Sequence, residues 1–340
     1  MSVKAPLNLS IGIAVLLSLI LCPGYLPAAD SQSEVSSIEL KQDDPKGQLS
    51  VIIEGRTALV YQYVDWLDLP HYWPLNSPSG KNMLVQQTDP YPHHRSFWFA
   101  DTVRLGQGRD VSTYNALYSG QRIGKKALTE ESVFGPPFKD HVRHRSFTRL
   151  ESEGDIAEIV SQSIWEMDGT VPLLDEERTL IVHALGNGEY LLDMKFVLTA
   201  NYGDVEFVSD DVHYAWPYLR LQTRYSGENG GILTSDTGLT GQEKTNMQFA
   251  RWIDYSNTVE GESEGVAVFQ WPDGQEHRWL TREYGCFGPR RPDSRSGKPF
   301  VLKVGESLSQ HVGILVHKGG VKDGQVALRY QEYIAGKWQP

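Results

Sequence analysis

Cysteine is nearly absent from this chain: its 340 residues hold two, Cys22 and Cys286. Cys22 falls within a leader-like N-terminal segment, so the folded part carries one thiol, no intramolecular disulfide is expected, and the core must hold by packing. Positive charge is also in deficit. Against 43 Asp and Glu there are 32 Lys and Arg, a formal charge of −11, and loss of Lys4 with the leader takes it to −12. That balance excludes the basic face a nucleic-acid partner needs. It also argues against sulfated or polyuronate ligands unless a local arginine cluster overrides the average. Past the N-terminus no apolar run reaches the ~18 residues of a membrane helix, so no membrane span is expected. Gly-x-Ser-x-Gly, a Walker loop, a dinucleotide fingerprint, His-Glu-x-x-His and Cys-x-x-Cys are all missing.

The N-terminus reads as a signal peptide over residues 1–29: Lys4, an apolar stretch from Ile11 to Leu21, then Pro27-Ala28-Ala29. Leu21 is too large to precede a lipid-bearing Cys22. The expectation is an exported protein, periplasmic or extracellular. Residues 30–48, rich in Ser, Gln, Glu and Asp, read as a flexible leader. From 49 to 340 short β-type runs follow one another, broken by Gly55-Arg56, Gly154-Asp155, Asp168-Gly169 and Gly186-Asn187-Gly188. His71–Gly80 reads as a loop, and Arg104–Lys139 as a long irregular insert. Only Gln325–Ile334 has a helical period. The expectation is one all-β domain, a large antiparallel β-sandwich or barrel ending in a short helix.

Asp89-Pro-Tyr-Pro-His-His-Arg-Ser-Phe-Trp-Phe-Ala-Asp101 is the densest functional signal. Pro90 and Pro92 block a regular ladder, and an aromatic strand follows from about His94. Strand alternation puts His93, Arg95, Phe97, Phe99 and Asp101 on one face and His94, Ser96, Trp98 and Ala100 on the other. Adjacent histidines on an extended chain point apart, so they suit one acid/base histidine better than a shared metal. An isolated His-His-Arg is more often a structural hydrogen-bond corner capping the aromatic strand. Ser209-Asp210-Asp211-Val212-His213-Tyr214 adds carboxylates beside His213, a pattern that an ordinary solvated turn also produces. His141-Val-Arg-His144 lies in the irregular region with no carboxylate pattern beside it.

In Trp279-Leu-Thr-Arg-Glu-Tyr-Gly285, alternation puts Trp279, Thr281 and Glu283 on one face and Leu280, Arg282 and Tyr284 on the other. A Glu flanked by Trp suits a general acid, while Arg282 and Glu283 also suit a sheet-edge ion pair. Trp252-Ile-Asp-Tyr255 has the same texture, and His317 ends the last long strand. Nine Trp and sixteen Tyr would supply stacking faces for sugars, and a large β core uses such rings too.

These segments resemble a bacterial family of unknown function commonly labelled "methane oxygenase PmoA". The carriers are Pro74-Leu-Asn-Ser-Pro-Ser-Gly80, Pro92-His-His-Arg-Ser-Phe-Trp98, Trp252-Ile-Asp-Tyr255, Trp279 with Arg282-Glu-Tyr-Gly285, and His317-Lys-Gly319, spread from about Leu49 to Gly320. Tyr91, the segment Asp211–Leu219 and Gly288-Pro-Arg-Arg-Pro292 depart from the family pattern. The resemblance brings no mechanism with it. The membrane methane monooxygenase subunit of that name is built of spanning helices, which this chain lacks after its leader, so methane oxidation is not expected. By analogy of fold, the texture is similar to sugar-handling β-sandwich proteins, including the galactose-mutarotase-like supersandwich.

The leading expectation is a carbohydrate ligand with acid/base chemistry: His93, His94 and Glu283 catalytic, with Arg95, Trp98, Asp101, His213, Trp252, Tyr255, Trp279, Arg282, Tyr284 and His317 binding substrate. Two alternatives stay open. One is a non-catalytic glycan-binding or scaffold protein. The other is a metal-dependent enzyme built from His93 or His94, His213 and a carboxylate. No cofactor is indicated.

Overall fold

The computed structural model describes residues 1–3, 37–86, 94–113, 140–208 and 215–338. The chain divides into Met1–Glu34, of which only the first three residues are described, and Val35–Pro340, which holds every element below.

The strands of Val35–Pro340 all pair antiparallel. The first sheet runs β1 (Ile38–Asp43), β2 (Gln48–Ile53), β3 (Arg56–Gln62), β4 (His71–Leu75), β5 (Phe97–Trp98), then β13 (Tyr218–Arg220), β18 (Cys286–Pro292) and β17 (His277–Thr281). The second runs β14 (Ile232–Ser235), β15 (Trp252–Val259), β16 (Glu262–Gln270), β20 (Ser307–Lys318), then β11 (Glu189–Thr199), β10 (Val171–Gly186), β9 (Ile156–Met167) and β8 (His141–Glu153). A smaller third sheet joins β19 (Phe300–Leu302), β12 (Val205–Phe207), β6 (Thr102–Leu105) and β7 (Asp110–Ser112). A helical turn α1 (Gln242–Thr245) and a helix α2 (Val326–Ile334) complete the order. The fold is thus the expected all-β antiparallel sandwich with a short C-terminal helix.

The two large sheets face each other through one apolar core. Tyr72, Phe97, Leu219 and Phe287 of the first sheet and Phe196, Leu198 and Trp165 of the second belong to it. Polar ties cross it as well. The Tyr190 hydroxyl on β11 donates to the carbonyls of Asn76 (2.6 Å) and Ala58 (3.1 Å). Glu264 on β16 accepts the Ser79 amide at 2.6 Å and its hydroxyl at 3.0 Å. Inside the core, Arg178 donates to Glu176 (2.5 Å) and lies over the Tyr72 and Phe196 rings, while Glu176 accepts the Trp165 indole N–H at 2.8 Å. A second, smaller cluster seats α2: Val326, Tyr330 and Tyr333 pack on Trp252, Ala267, Phe269 and Leu315.

Five segments differ from their sequence reading. The segment taken as a flexible leader contains β1, whose Ile38 and Leu40 alternate inward against β2. His71–Leu75 is a strand, not a loop, because Tyr72 and Leu75 both reach the core despite Pro74. The front of the expected insert forms β6 and β7; residues 114–139 lie outside the described residues. His141–His144 opens the long strand β8, and Glu166 on β9 supplies the carboxylate that its own segment lacks, 2.8 Å from His141. Cys286–Pro292, to which the sequence reading assigned no strand, is β18. There Gly288 passes so close to β13 that a Cβ would come within 2.0 Å of the Pro217 carbonyl, so no larger residue fits.

The Arg178–Glu176 pair yields a stability prediction. Glu176→Gln leaves a buried guanidinium without its counter-charge and should cost about 3–5 kcal/mol. By thermal melting this reads as a fall in Tm of roughly 10 °C. Replacing both residues with Met should recover most of the loss, because both desolvation penalties then vanish together.

Candidate functional site

The site is built on the face of β5, β13 and β18 that turns away from the second sheet. Antiparallel partners share a face. Trp98 lies opposite His71 on β4 and Tyr218 on β13; Arg220, two residues along, lies opposite Cys286 on β18. The intervening Phe97 and Leu219 point into the core. β5 is shorter than the aromatic strand expected from His94 to Asp101, since only Phe97 and Trp98 form ladder pairs. The expected alternation still separates the key side chains. His94 approaches Trp98, with ring centroids 5.7 Å apart, while Arg95 turns onto Asp68.

The rings form a connected series. Trp98 stacks on Tyr218 at 4.8 Å and 20°, His94 follows, and the Tyr284 ring lies 6.4 Å from His94 at 28°. Trp98 and Tyr218 are buried and make the floor; Tyr284 is the half-buried ring that reaches solvent. The Arg220 guanidinium sits 4.4 Å over Tyr284, a cation–π contact. Its Nε and Nη1 have no hydrogen-bond partner among the described residues, and burial pulls its pKa below the usual arginine value. Cys286, its cross-strand neighbour, is pushed up to about 12 by burial and stays a neutral thiol. Glu228 is the carboxylate whose field reaches Arg220, and it is exposed.

Two buried side chains brace this face. Arg95 is fully buried, and its Nε (3.0 Å) and Nη2 (2.5 Å) both donate to Asp68 Oδ1. His71 is held between the Leu69 carbonyl (3.2 Å) and Gln86 (2.7 Å). Burial, and then the positive field of Arg95, push His71 down to about 4, so the imidazole is neutral.

The other expected site residues lie elsewhere. His93 and His213 fall outside the described residues. Glu283 is exposed in the turn after β17, which ends at Thr281, so the alternation that would flank it with Trp279 stops short. Its carboxylate accepts the Gln242 amide at 3.3 Å, and its carbonyl accepts the Tyr255 hydroxyl at 2.9 Å. Tyr255 is buried and also accepts the Gly227 amide; burial raises its pKa. Arg282 donates to Asn246 (2.7 Å) and to the Thr281 carbonyl. Trp252 belongs to the cluster under α2, and Trp279 is a core residue whose indole donates to the Ala250 carbonyl. Asp101 is buried, accepts the Thr102 amide and lies 3.6 Å from Arg291.

His317 is a buried structural histidine. It sits 2.7 Å from Asp254 and is pressed by Gly265 and Gly324, at each of which a Cβ would meet its ring below 3 Å. Burial opposes its charge, but Asp254 outweighs burial and raises its pKa. Among the described residues no group of three or more His, Cys, Asp or Glu is placed to hold a metal ion.

Of the expected set, the structure therefore brings together His94, Trp98 and Tyr284, with Arg95 as their support. It adds His71, Tyr218, Arg220 and Glu228. Arg220 had a legible signal, a lone cation between apolar residues in Tyr218-Leu219-Arg220-Leu221. A separate groove of about 390 Å³ opens where Asp236, Phe249, Arg251, Trp271, Glu276 and Tyr330 meet. No helix among the described residues is long and apolar enough to cross a membrane.

The fold and site define an antiparallel β-sandwich protein with an aromatic, arginine-bearing sheet face. Residues 48–331 match DUF6807, a family of unknown function, and the chain belongs to that family. No curated protein matches the sequence. Among solved structures, the chain is similar to the GH36 alpha-galactosidase AgaB from Geobacillus stearothermophilus, with 10% identity, a TM-score of 0.45, and coverage of 84% of this chain and 42% of that one. It is similar to a polysaccharide lyase at 12% identity and TM-score 0.36, covering 86% and 34%. A galactose mutarotase related enzyme from Lactobacillus acidophilus gives 9% identity and TM-score 0.33, covering 82% and 97%. The chain thus spans less than half the length of that alpha-galactosidase and of the lyase. Identities of this order transfer no residue roles.

The neutral, buried His71 gives a pH prediction. Its folded pKa of about 4 lies below the unfolded value of about 6.5, so below pH 6.5 the unfolded chain takes up a proton that the folded one refuses. Its contribution is present above about pH 6.5, erodes as pH falls, and is gone below about 4, a loss on the order of 3 kcal/mol. His144, also held near 4 by burial, contributes in the same window. Denaturant melts from pH 7 to 4 should show this slope, and His71→Gln should flatten it without abolishing it.

Proposed function

We propose that this protein is carbohydrate-active, packing a saccharide against Tyr284 with His94 as the proton-transfer group and Arg220 orienting the ligand. The observation that supports the reading is the ring series Tyr218, Trp98, His94 and Tyr284, which runs from a buried floor to half-buried Tyr284 and sets the buried His94 imidazole and Arg220 guanidinium against that ring. Flat amphipathic rings accept the apolar face of a sugar while leaving its hydroxyls to polar neighbours. Histidine is the side chain most often used for proton transfer in general acid/base work. Arg95, fixed on Asp68, is a positioning residue in this scheme and does not touch the ligand.

A second reading, saccharide binding without turnover, is favoured by one feature: the Glu283 carboxylate, the partner expected for an acid/base pair, is engaged by the Gln242 amide. Export through residues 1–29, and kinship with the PmoA-labelled family without methane chemistry, belong to the same proposal.

The purified chain should be assayed for binding and product formation on an oligosaccharide panel, with His94→Gln and Tyr284→Ala alongside. Tyr284→Ala should weaken binding. His94→Gln should keep binding and lower turnover by about 10²–10⁴-fold, the usual contribution of one acid/base group. Full turnover in His94→Gln removes it from the chemistry. Binding without product in the unaltered chain selects the second reading.

A further inference from the structure

Three buried arginines among the described residues are matched to acids. Arg95 faces Asp68, Arg178 faces Glu176, and Arg291 lies 3.6 Å from Asp101. Arg220 is 5% exposed, and among the described residues its buried Nε and Nη1 have no hydrogen-bond partner and no carboxylate forms an ion pair with it. Taking an unpaired guanidinium out of water costs several kcal/mol, and the contact with the Tyr284 ring offsets only part of that. Ser96, whose carbonyl accepts the Arg220 amide at 2.7 Å, is fully buried, and its hydroxyl has no partner among the described residues. An unmatched cation and an unmatched hydroxyl therefore meet across one backbone hydrogen bond, on the sheet face that carries His94 and Tyr284.

We infer that Arg220 reads an anionic group and that the ligand of this face is a saccharide bearing a carboxylate, a uronic acid unit; this rests on the saccharide reading above. A carboxylate supplies the single negative charge that the guanidinium lacks, and charge-assisted hydrogen bonds of this kind are stronger than neutral ones. A neutral sugar would leave the cation uncompensated. The chain's overall acidity disfavours such a ligand at long range, and Arg220 is the local positive charge that overrides it. Exposed Glu228 stands nearby, opposes a second acidic group on the ligand, and so favours one carboxylate per site.

The test is calorimetric titration of the full chain with matched pairs: glucuronate against glucose, galacturonate against galactose, and the corresponding oligosaccharides. Acidic members should bind about tenfold or more tightly than neutral ones. Arg220→Gln should erase that preference by weakening the acidic members alone, while Arg220→Lys retains part of it. Thermal melts supply the control for folding. If Arg220 only braces Tyr284, Arg220→Gln lowers Tm and weakens both classes equally, which overturns the inference. If it holds an anion site, Tm without ligand stays level or rises, because an unpaired buried charge has been removed. A uronate preference that survives Arg220→Gln overturns the inference and leaves the saccharide reading standing. Failure of the unaltered chain to bind either class overturns both.

Discussion

The Asp68–Arg95 ion pair is the constraint on which the candidate site depends. Both side chains are buried, so each has lost its hydration, and only close multiple contact makes that tolerable. Asp68 Oδ1 accepts two Arg95 donors and its own neighbour's amide from Leu69, while the Asp68 carbonyl accepts the Val142 amide at 2.8 Å. One residue thereby ties the connection between β3 and β4 to β5 in the first sheet and to β8 in the second. A two-residue strand such as β5 has few ladder bonds of its own, and this anchor fixes where it enters the sheet. With Arg95 committed to Asp68, His94 packs against Trp98. Burial, and then the same guanidinium, keep His71 neutral opposite Trp98.

The contrast between Arg95 and Arg220 organises the electrostatics of this face. Both are buried arginines, one just before β5 and the other on β13, yet one is neutralised by an acid and the other has none among the described residues. Arg95 holds its surroundings in place and has no charge to offer a ligand. Arg220 rests on a half-buried ring and carries the charge that remains. Structural support and ligand recognition are thus divided between two side chains of the same type.

The fold class was legible because strand alternation and turn residues recur through most of the chain, and α2 because Val326, Tyr330 and Tyr333 repeat at helical spacing. β4 and β18 were hidden by their prolines and glycine, which read locally as breaks; tertiary packing of Tyr72 and of Gly288 against Pro217 overrides that preference. The site was legible in part. The split between His94 and Arg95 follows from alternation, but the sequence could not say that Asp68, 27 positions upstream, would claim Arg95. Trp252, Trp279 and His317 carried the texture of a binding site and proved to be packing residues, because composition does not distinguish a buried ring from an accessible one. Arg220 had only the weak local signal of a lone cation among apolar residues; its significance lies in lacking an acidic partner among the described residues, which only the folded chain reveals.

A crystal structure of the protein with a uronate oligosaccharide bound measures the central claim most directly. The account predicts the sugar against Tyr284, its carboxylate within hydrogen-bond reach of Arg220 and its reacting end at His94. A sugar seated instead in the groove of Phe249 and Trp271, with the β5–β13–β18 face unoccupied, would contradict it.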